Sequence, residues 1–231
     1  MPVSTAPQSA GEILRHFEEV APITKHRFFE RFRSEPVDLR HLWKLLANFQ
    51  ISISKNFARR LATIAGRVDD ERVRCILAEQ LNDEMGGGKF ERAHVNLFAA
   101  MMKQLEPYQP ARIDDSLLAP GRNLDRRLAE IYGAADLNSA LGAVIAGEVF
   151  GEQMDKRLAE EFRRQDELDV NSLEWLTLHE QLEVEHADSS MVLAGLLPAG
   201  ATQSIWSGAQ ALANAGAAFL DDLYELCYGP T

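Results

Sequence analysis

The chain has 231 residues, of which 46% are hydrophobic and 26% charged, a composition typical of one globular domain with a substantial core. Its net charge of −11, without a basic cluster, argues against nucleic acid and against an anionic membrane surface as partners. No apolar segment could span a bilayer, the N-terminus lacks secretory-signal features, and two distant cysteines exclude a disulfide scaffold or cysteine zinc site. We therefore expect a cytoplasmic protein, with a flexible tail at residues 1–10 and one domain at residues 11–231.

Apolar residues recur at helical spacings of three and four along almost the whole chain, and the sequence contains no strand pattern. Residues 11–33 are expected to form one or two helices. Further helices are predicted at residues 38–65, 70–85, 90–104, 123–133, 137–165, 171–195 and 203–227. Asp69 is the expected N-cap of the helix over residues 70–85. The predicted fold is all-α, a single compact bundle of seven or eight helices.

The most informative stretch contains His179, Glu183 and His186, which follow the spacing H-x3-E-x2-H. On a helix at about 100° per residue, these three side chains fall within roughly 60° of one face. Two imidazoles and one carboxylate on one stripe suit iron, manganese or zinc. The alternative is a helix that shows an ordinary polar face to water. Asn171 is the expected N-cap of this helix, and Glu174 would complete a capping box.

A carboxylate in an apolar helical stretch is the next candidate ligand. Glu148 lies in LNSALGAVIAGEVFGEQM, where glycine, alanine and aliphatic residues predict a position inside the bundle. A buried glutamate is costly unless it is paired or bound to a metal ion. Glu152, one turn further along the same face, is the rival residue. An ion pair with an arginine across the bundle is the alternative role for Glu148.

A glycine run separates a further pair of candidate ligands. Glu84 ends one predicted helix, His94 lies in the first turns of the next, and Gly86–Gly88 stand between them. Glycines permit the tight turn that would let both side chains converge on one point. Glu91 or Asp83 could replace Glu84, because Glu91 and His94 form the i, i+3 pair found in dimetal bundles. His94 could also be a core histidine without a metal.

Together these regions offer three carboxylates and three imidazoles: Glu84, His94, Glu148, His179, Glu183 and His186. That set suits two adjacent divalent metal ions, with bridging carboxylates and positions open to dioxygen. At this point the sequence resembles the haem-oxygenase-like diiron oxidases and oxygenases, a superfamily of helical bundles whose relatives bind haem, thiamin fragments or a quinone precursor. The resemblance covers roughly residues 35–195 and rests on DEMGGG-x5-H, the Glu148 helix and H-x3-[DE]-x2-H.

The resemblance implies an enzyme in which these six residues bind two iron ions, with manganese or a mixed pair as the alternative, and in which dioxygen is the co-substrate. The implied reaction is C–C or C–N bond cleavage or N-oxygenation of a small amine, amino acid or carboxylic acid, in specialised metabolite biosynthesis. A homodimer is expected only because dimers are the commonest soluble oligomers. The expected walls of a substrate cavity are aromatic: Phe49, Phe57, Phe98, Phe150 and Trp175.

Two differences from particular members of the superfamily narrow this expectation. Several N-oxygenases carry an extra carboxylate ligand on the long preceding helix, whereas residues 39–68 here contain no Asp or Glu. This difference favours oxidative bond cleavage or a simpler oxidation. Members that make para-aminobenzoate consume a tyrosine of their own N-terminal region, whereas no tyrosine precedes Tyr108 here. The second difference argues against the same self-consuming chemistry at that place.

Three other functions would keep the same fold. A haem oxygenase would use His16 or His26 as haem ligand, with Gly147 and Gly151 letting a helix approach the porphyrin. A thiaminase-like enzyme would need a nucleophilic cysteine facing the bundle cavity, and Cys75 is instead expected to pack in the core. A metal-storage or protein-interaction bundle would bind iron without consuming an organic co-substrate.

Overall fold

The computed structural model describes residue 12 and residues 25–34, 36–169 and 173–229, without the side chains of residues 32–34 and 180–188. The predicted tail at residues 1–10 lies outside these ranges. The described chain is all-α, as the sequence predicts, and contains no strand. None of its helices is both long enough and apolar enough to cross a bilayer. The described α-helices are α1 Arg27–Ser34, α2 Leu39–Phe49, α3 Phe57–Ala65, α4 Glu71–Glu84, α5 His94–Gln104, α6 Ala119–Tyr132, α7 Leu137–Phe162, α8 Glu174–Leu196 and α9 Thr202–Tyr228.

The two long helices α7 and α9 pack against each other more extensively than any other pair of described helices. Glycine allows the close approach of their backbones at two points. A Cβ on Gly142 would lie 2.8 Å from the Ile205 Cα, and a Cβ on Gly208 would lie 3.0 Å from the Ser139 Cα. Because any larger residue would push the helices apart, these glycines fix the position of α7, the helix that carries Glu148.

The predicted helix over residues 38–65 is interrupted, so this part of the prediction is wrong. A π-helical segment, Gln50–Ser54, follows α2, and α3 begins only at Phe57. The Ser52 hydroxyl donates to the Asn48 carbonyl at 2.8 Å, a local bond of the kind that disturbs the regular helical ladder. Asn48 in turn accepts a hydrogen bond from the Gly121 nitrogen, which joins this irregular segment to α6.

Several helices begin at residues other than the predicted ones. Asp70, not Asp69, caps α4, and its carboxylate accepts a hydrogen bond from the Arg72 nitrogen at 2.9 Å. Helix α6 begins earlier than predicted because Pro120 occupies its first turn, where a missing N–H costs nothing. Helix α8 begins at Glu174, and the predicted cap Asn171 lies outside the described residues.

Candidate metal centre

Glu84 and His94 meet across the glycine turn that joins α4 to α5. Gly86, Gly87 and Gly88 have φ angles of 67°, 63° and 78°, in the left-handed region that side chains with a Cβ rarely adopt. A Cβ on Gly86 would also lie 2.6 Å from the Ala93 nitrogen, so glycine is needed there for space as well. The turn brings Glu84 Oε1 to 3.2 Å from His94 Nδ1, so the two side chains converge as their spacing predicts.

The third member of the group is His179, on α8. Its Nδ1 lies 2.7 Å from the Trp175 carbonyl oxygen, one helical turn earlier. A carbonyl oxygen only accepts hydrogen bonds, so Nδ1 carries the proton and Nε2 carries the lone pair that can bind a metal ion. The Trp175 ring packs on the imidazole with 4.0 Å between ring centroids, which holds the imidazole in place.

Glu84, His94 and His179 come together as one group. One possible donor atom from each residue lies within 4.8 Å of the other two. Two donor atoms bound to one ion at about 2.1 Å stand about 3 Å apart when adjacent and about 4 Å apart when opposite. The 3.2 Å separation in the Glu84–His94 pair therefore suits a shared ion without rearrangement. The set of two imidazoles and one carboxylate suits iron, manganese or zinc.

Asp155 is a nearby carboxylate that the sequence reasoning missed. It lies on α7, it is 7% exposed, and its Oδ2 is 4.0 Å from His179 Nε2. Glu148, Glu152 and Asp155 are spaced i, i+4, i+7 and so share one face of the helix. This regular spacing of carboxylates along one helix face, extended three residues beyond Glu152, would have identified Asp155 from the sequence.

Gln80 adds a buried amide one helical turn before Glu84. The residue is 3% exposed, and neither amide atom has a hydrogen-bond partner among the described residues. An unpaired buried amide costs free energy, so natural proteins retain one only for a reason. A metal-bound water or a substrate atom beside Glu84 would supply the partner. This amide therefore fits a site built around a bound group.

The other predicted ligands have different outcomes. The side chains of Glu183 and His186 lie outside the described part of the chain, so their assignment stays a prediction. Glu148 is half-buried and does not join the group of three donors among the described residues. Burial raises the pKa of Tyr132, and the charge of Glu148 raises it further. Glu91, the proposed replacement for Glu84, is exposed on a short 3-10 turn.

The described residues proposed for the haem-oxygenase and thiaminase-like functions do not belong to this donor group. His26 accepts a hydrogen bond from the Phe28 nitrogen at Nδ1, and its Nε2 lies 3.5 Å from Asp221 on α9. Burial lowers the pKa of His26, which keeps the ring neutral at physiological pH. Cys75 is exposed, so the prediction that it packs in the core is wrong, and it does not face the bundle interior as a nucleophile would. His16 lies outside the described residues.

Comparison with known proteins agrees with this fold. The chain is similar to two crystal structures of a CADD-like protein of unknown function from Nostoc punctiforme PCC 73102. One has 13% identity and a TM-score of 0.77, and covers 94% of this chain and 95% of the other. The second has 12% identity, a TM-score of 0.73 and 94% coverage of both. No curated protein matches the chain. Residues 49–217 match the family of iron-containing redox enzymes, and the chain therefore belongs to that family.

Proposed function

We propose that the protein is a non-haem diiron oxidase or oxygenase that uses dioxygen to oxidise a small amine, amino acid or carboxylic acid. The reaction is oxidative C–C or C–N bond cleavage or N-oxygenation, in specialised metabolite biosynthesis. The proposed ligands of the two iron ions are Glu84, His94, Glu148, His179, Glu183 and His186. The enzyme is cytoplasmic in this proposal, and its partner is a small-molecule substrate, not nucleic acid or a membrane.

The observation that carries the proposal is the convergence of Glu84, His94 and His179 from three helices on one point. Membership of an iron-containing redox family supports iron as the metal. Bound iron would supply the electrons and the coordination positions that dioxygen needs. The H-x3-E-x2-H spacing predicts that Glu183 and His186 share one face of α8 with His179, and in this proposal α8 contributes three ligands.

The protein's own groups orient and shield this point. The Trp175 carbonyl holds the His179 proton on Nδ1, which directs Nε2 towards the site. His94 is 4% exposed, and the buried rings of Phe98 and Trp175 pack edge to face beside it with centroids 5.1 Å apart. These rings exclude bulk water from one side of the donor group. The Gln80 amide can hold a water or a substrate atom on the α4 side.

Anaerobic loading of the full chain with Fe(II), followed by exposure to dioxygen, tests the proposal. We expect about two iron ions per chain and dioxygen uptake that depends on an added amine, amino acid or carboxylic acid. Absence of iron binding would contradict the proposal. Iron oxidation that no organic co-substrate accelerates would instead support a metal-storage bundle.

Matched histidine variants give this experiment its control. His94→Ala, His179→Ala and His186→Ala should each lower the iron content and abolish dioxygen-dependent activity. His41→Ala removes a histidine from α2 that lies against the Tyr228 ring, and it should retain both. Equal iron content in all four variants would contradict the ligand assignment.

A further inference from the structure

The bundle contains an apolar cavity of about 70 Å³. Its walls come from the end of α2, the π-helical segment, α3, α6, α7 and α9. Three of the five aromatic residues expected in a cavity wall, Phe49, Phe57 and Phe150, line it. Most of the remaining wall residues are aliphatic or glycine, so the cavity suits an uncharged group that is mainly hydrocarbon.

The hydroxyl of Tyr132 is a polar group within this apolar wall. Tyr132 is buried, with only 5% of its surface exposed. A Cβ on Gly147 would lie 3.0 Å from the Tyr132 hydroxyl and 3.7 Å from Leu212 Cδ2, and all three residues line the cavity. The hydroxyl therefore lies at the cavity wall. It forms no hydrogen bond with any other residue that the structure describes, and a buried hydroxyl without a partner costs free energy.

This hydroxyl is available as a hydrogen-bond donor. Burial raises the pKa of Tyr132, so the phenol keeps its proton at physiological pH. A phenol O–H donates to an oxygen acceptor, and an uncharged oxygen loses little hydration when it enters an apolar cavity. An ionised group would lose far more, because the transfer of a charge out of water is much costlier than that of a neutral polar atom.

The other polar side chain of the described wall is already engaged. The Arg60 guanidinium donates to the Ser52 carbonyl at 2.6 Å and forms an ion pair with the Asp125 carboxylate. Its charge is therefore balanced within the protein, and it offers little attraction to a substrate carboxylate. The Tyr132 hydroxyl remains as the side-chain group of this wall that can recognise a polar atom.

Aromatic contacts connect the cavity to the candidate metal centre. The Phe49 ring stacks on Phe98 with a centroid separation of 5.4 Å, and Phe98 packs edge to face against Trp175. Trp175 in turn packs on His179. A molecule that reacts at the centre can therefore place its far end in the cavity.

The size of the cavity limits what can enter it. Apolar cavities of about 150 Å³ accept a benzene molecule, so a cavity of about 70 Å³ accommodates a group of about three or four heavy atoms. Gly151 leaves part of this space open, because a Cβ built on it would meet no atom within 4 Å. A larger residue at this position would fill the cavity.

We propose that this cavity binds a short, uncharged aliphatic group with one carbonyl or ether oxygen, and that the Tyr132 hydroxyl donates a hydrogen bond to that oxygen. Gly151 sets the size of the group that the cavity accepts. The inference rests on the proposed function, since it assigns this group to the substrate end that lies away from the reacting atoms. Binding of the group itself does not need iron, because the cavity and the hydroxyl belong to the protein alone.

Titration of the metal-free full chain with acetone and with isobutene tests the inference. The two probes have nearly the same shape, and only acetone carries an oxygen acceptor. The readout is the ¹³C-methyl resonance of Met154, a wall residue, assigned by its loss in Met154→Leu. We expect a saturable shift with both probes in the wild type. Tyr132→Phe should weaken acetone binding about threefold to tenfold, the usual effect of losing one hydrogen bond, and should bind isobutene at least as tightly as the wild type.

Two glycine variants test the location of the probes. Gly151→Leu should weaken the binding of both probes by about tenfold or more, because the new side chain occupies their space. Gly195→Leu is the matched control, since Gly195 also lies within a helix with nothing near its Cβ but is exposed on α8. It should bind both probes like the wild type.

Three results would overturn the inference: no binding of acetone to the wild type, unchanged binding in Gly151→Leu, or an equal effect of Tyr132→Phe on acetone and isobutene. The inference and the diiron proposal fail separately. Iron uptake without acetone binding would contradict this inference alone, and acetone binding without iron uptake would contradict the diiron proposal alone.

Discussion

Asp155 Oδ2 lies 4.0 Å from His179 Nε2, although the two residues come from different long helices. Because His179 Nδ1 donates to a backbone carbonyl, Nε2 is the nitrogen that can bind metal, and Asp155 faces that nitrogen. The Nε2 lone pair cannot donate a hydrogen bond to a carboxylate, so Asp155 would join the metal centre as a further ligand of an ion bound between the two groups.

Replacement of this carboxylate should weaken metal binding while preserving the fold. We expect Asp155→Asn to lower the Fe(II) affinity about 10- to 100-fold, the usual effect of losing a group beside a metal ligand. Glu148→Gln should also impair metal binding if Glu148 is a ligand. Glu160→Gln, on an exposed face of the same helix, is the control. Anaerobic Fe(II) titration measures all three. Weaker Fe(II) binding in Asp155→Asn alone would assign Asp155 the role predicted for Glu148. Unchanged Fe(II) binding in both Asp155→Asn and Glu148→Gln would leave α7 without a ligand.

The fold and the candidate group of Glu84, His94 and His179 were predictable because local rules determine them. Periodic apolar residues predict the helices, and the glycine run between Glu84 and His94 predicts their approach, since only glycine tolerates the φ angles of that turn. His179 was predictable from its spacing to Glu183 and His186 on one helix face. None of these inferences needs knowledge of how distant helices pack.

The remaining features depend on packing, which spacing alone does not determine. Glu148, Glu152 and Asp155 all share one face of α7, so the sequence cannot say which of them stands opposite His179. The break after Phe49 depends on Ser52 and on the bond from Gly121 to Asn48, a contact between residues far apart in sequence. Tertiary contacts of this kind override a helical pattern that is otherwise continuous.

The two cysteines should differ strongly in reactivity. Cys75 is exposed, whereas burial raises the pKa of the Cys227 thiol to about 11. At pH 8 only about one Cys227 in a thousand would be the reactive thiolate. We therefore expect a disulfide reagent to modify Cys75 rapidly and Cys227 slowly, with the rapid phase absent in Cys75→Ser. Unchanged dioxygen-dependent activity in Cys75→Ser would remove the thiaminase-like function, and loss of activity would revive it.

Acid should destabilise the protein through His41. Burial lowers the pKa of His41 below its usual value of 6.5, Lys44 lowers it further, and Asp38 opposes this. Around pH 6.5, and down to the lowered pKa of the folded state, the unfolded chain binds more protons at His41 than the folded chain does. The free energy of unfolding therefore falls as the pH drops from about 7.5 to about 5.5. Urea unfolding across this range should show a smaller fall in His41→Gln than in the wild type. Burial also lowers the pKa of His26, so His26 contributes in the same direction and the variant should keep a residual fall. An equal fall in the free energy of unfolding in the variant and the wild type would show that His41 does not contribute.

We expect Gln80 to lower the stability of the fold and to contribute to function at the metal centre. Its amide is buried without a partner among the described residues, one turn before Glu84. Leucine has a similar volume and no polar atoms, so Gln80→Leu should stabilise the metal-free protein by about 1 kcal/mol. If the amide holds a group bound at the centre, the same variant should lower dioxygen-dependent activity. Urea unfolding of the metal-free protein and dioxygen uptake of the iron-loaded protein measure the two effects.

Gln165→Leu is the control, because it makes the same substitution at a buried amide whose nitrogen donates two hydrogen bonds. Gln165 Nε2 donates to the Val37 carbonyl at 3.0 Å and to Glu161 at 2.8 Å. Its replacement removes these two hydrogen bonds, although Glu161 still accepts one from the Val37 nitrogen. The variant should be destabilised by about 1–3 kcal/mol without a direct effect on the centre. Destabilisation of both variants to the same extent would show that Gln80 is an ordinary structural amide. A more stable Gln80→Leu protein with lower activity would place Gln80 among the groups that serve the bound metal or substrate.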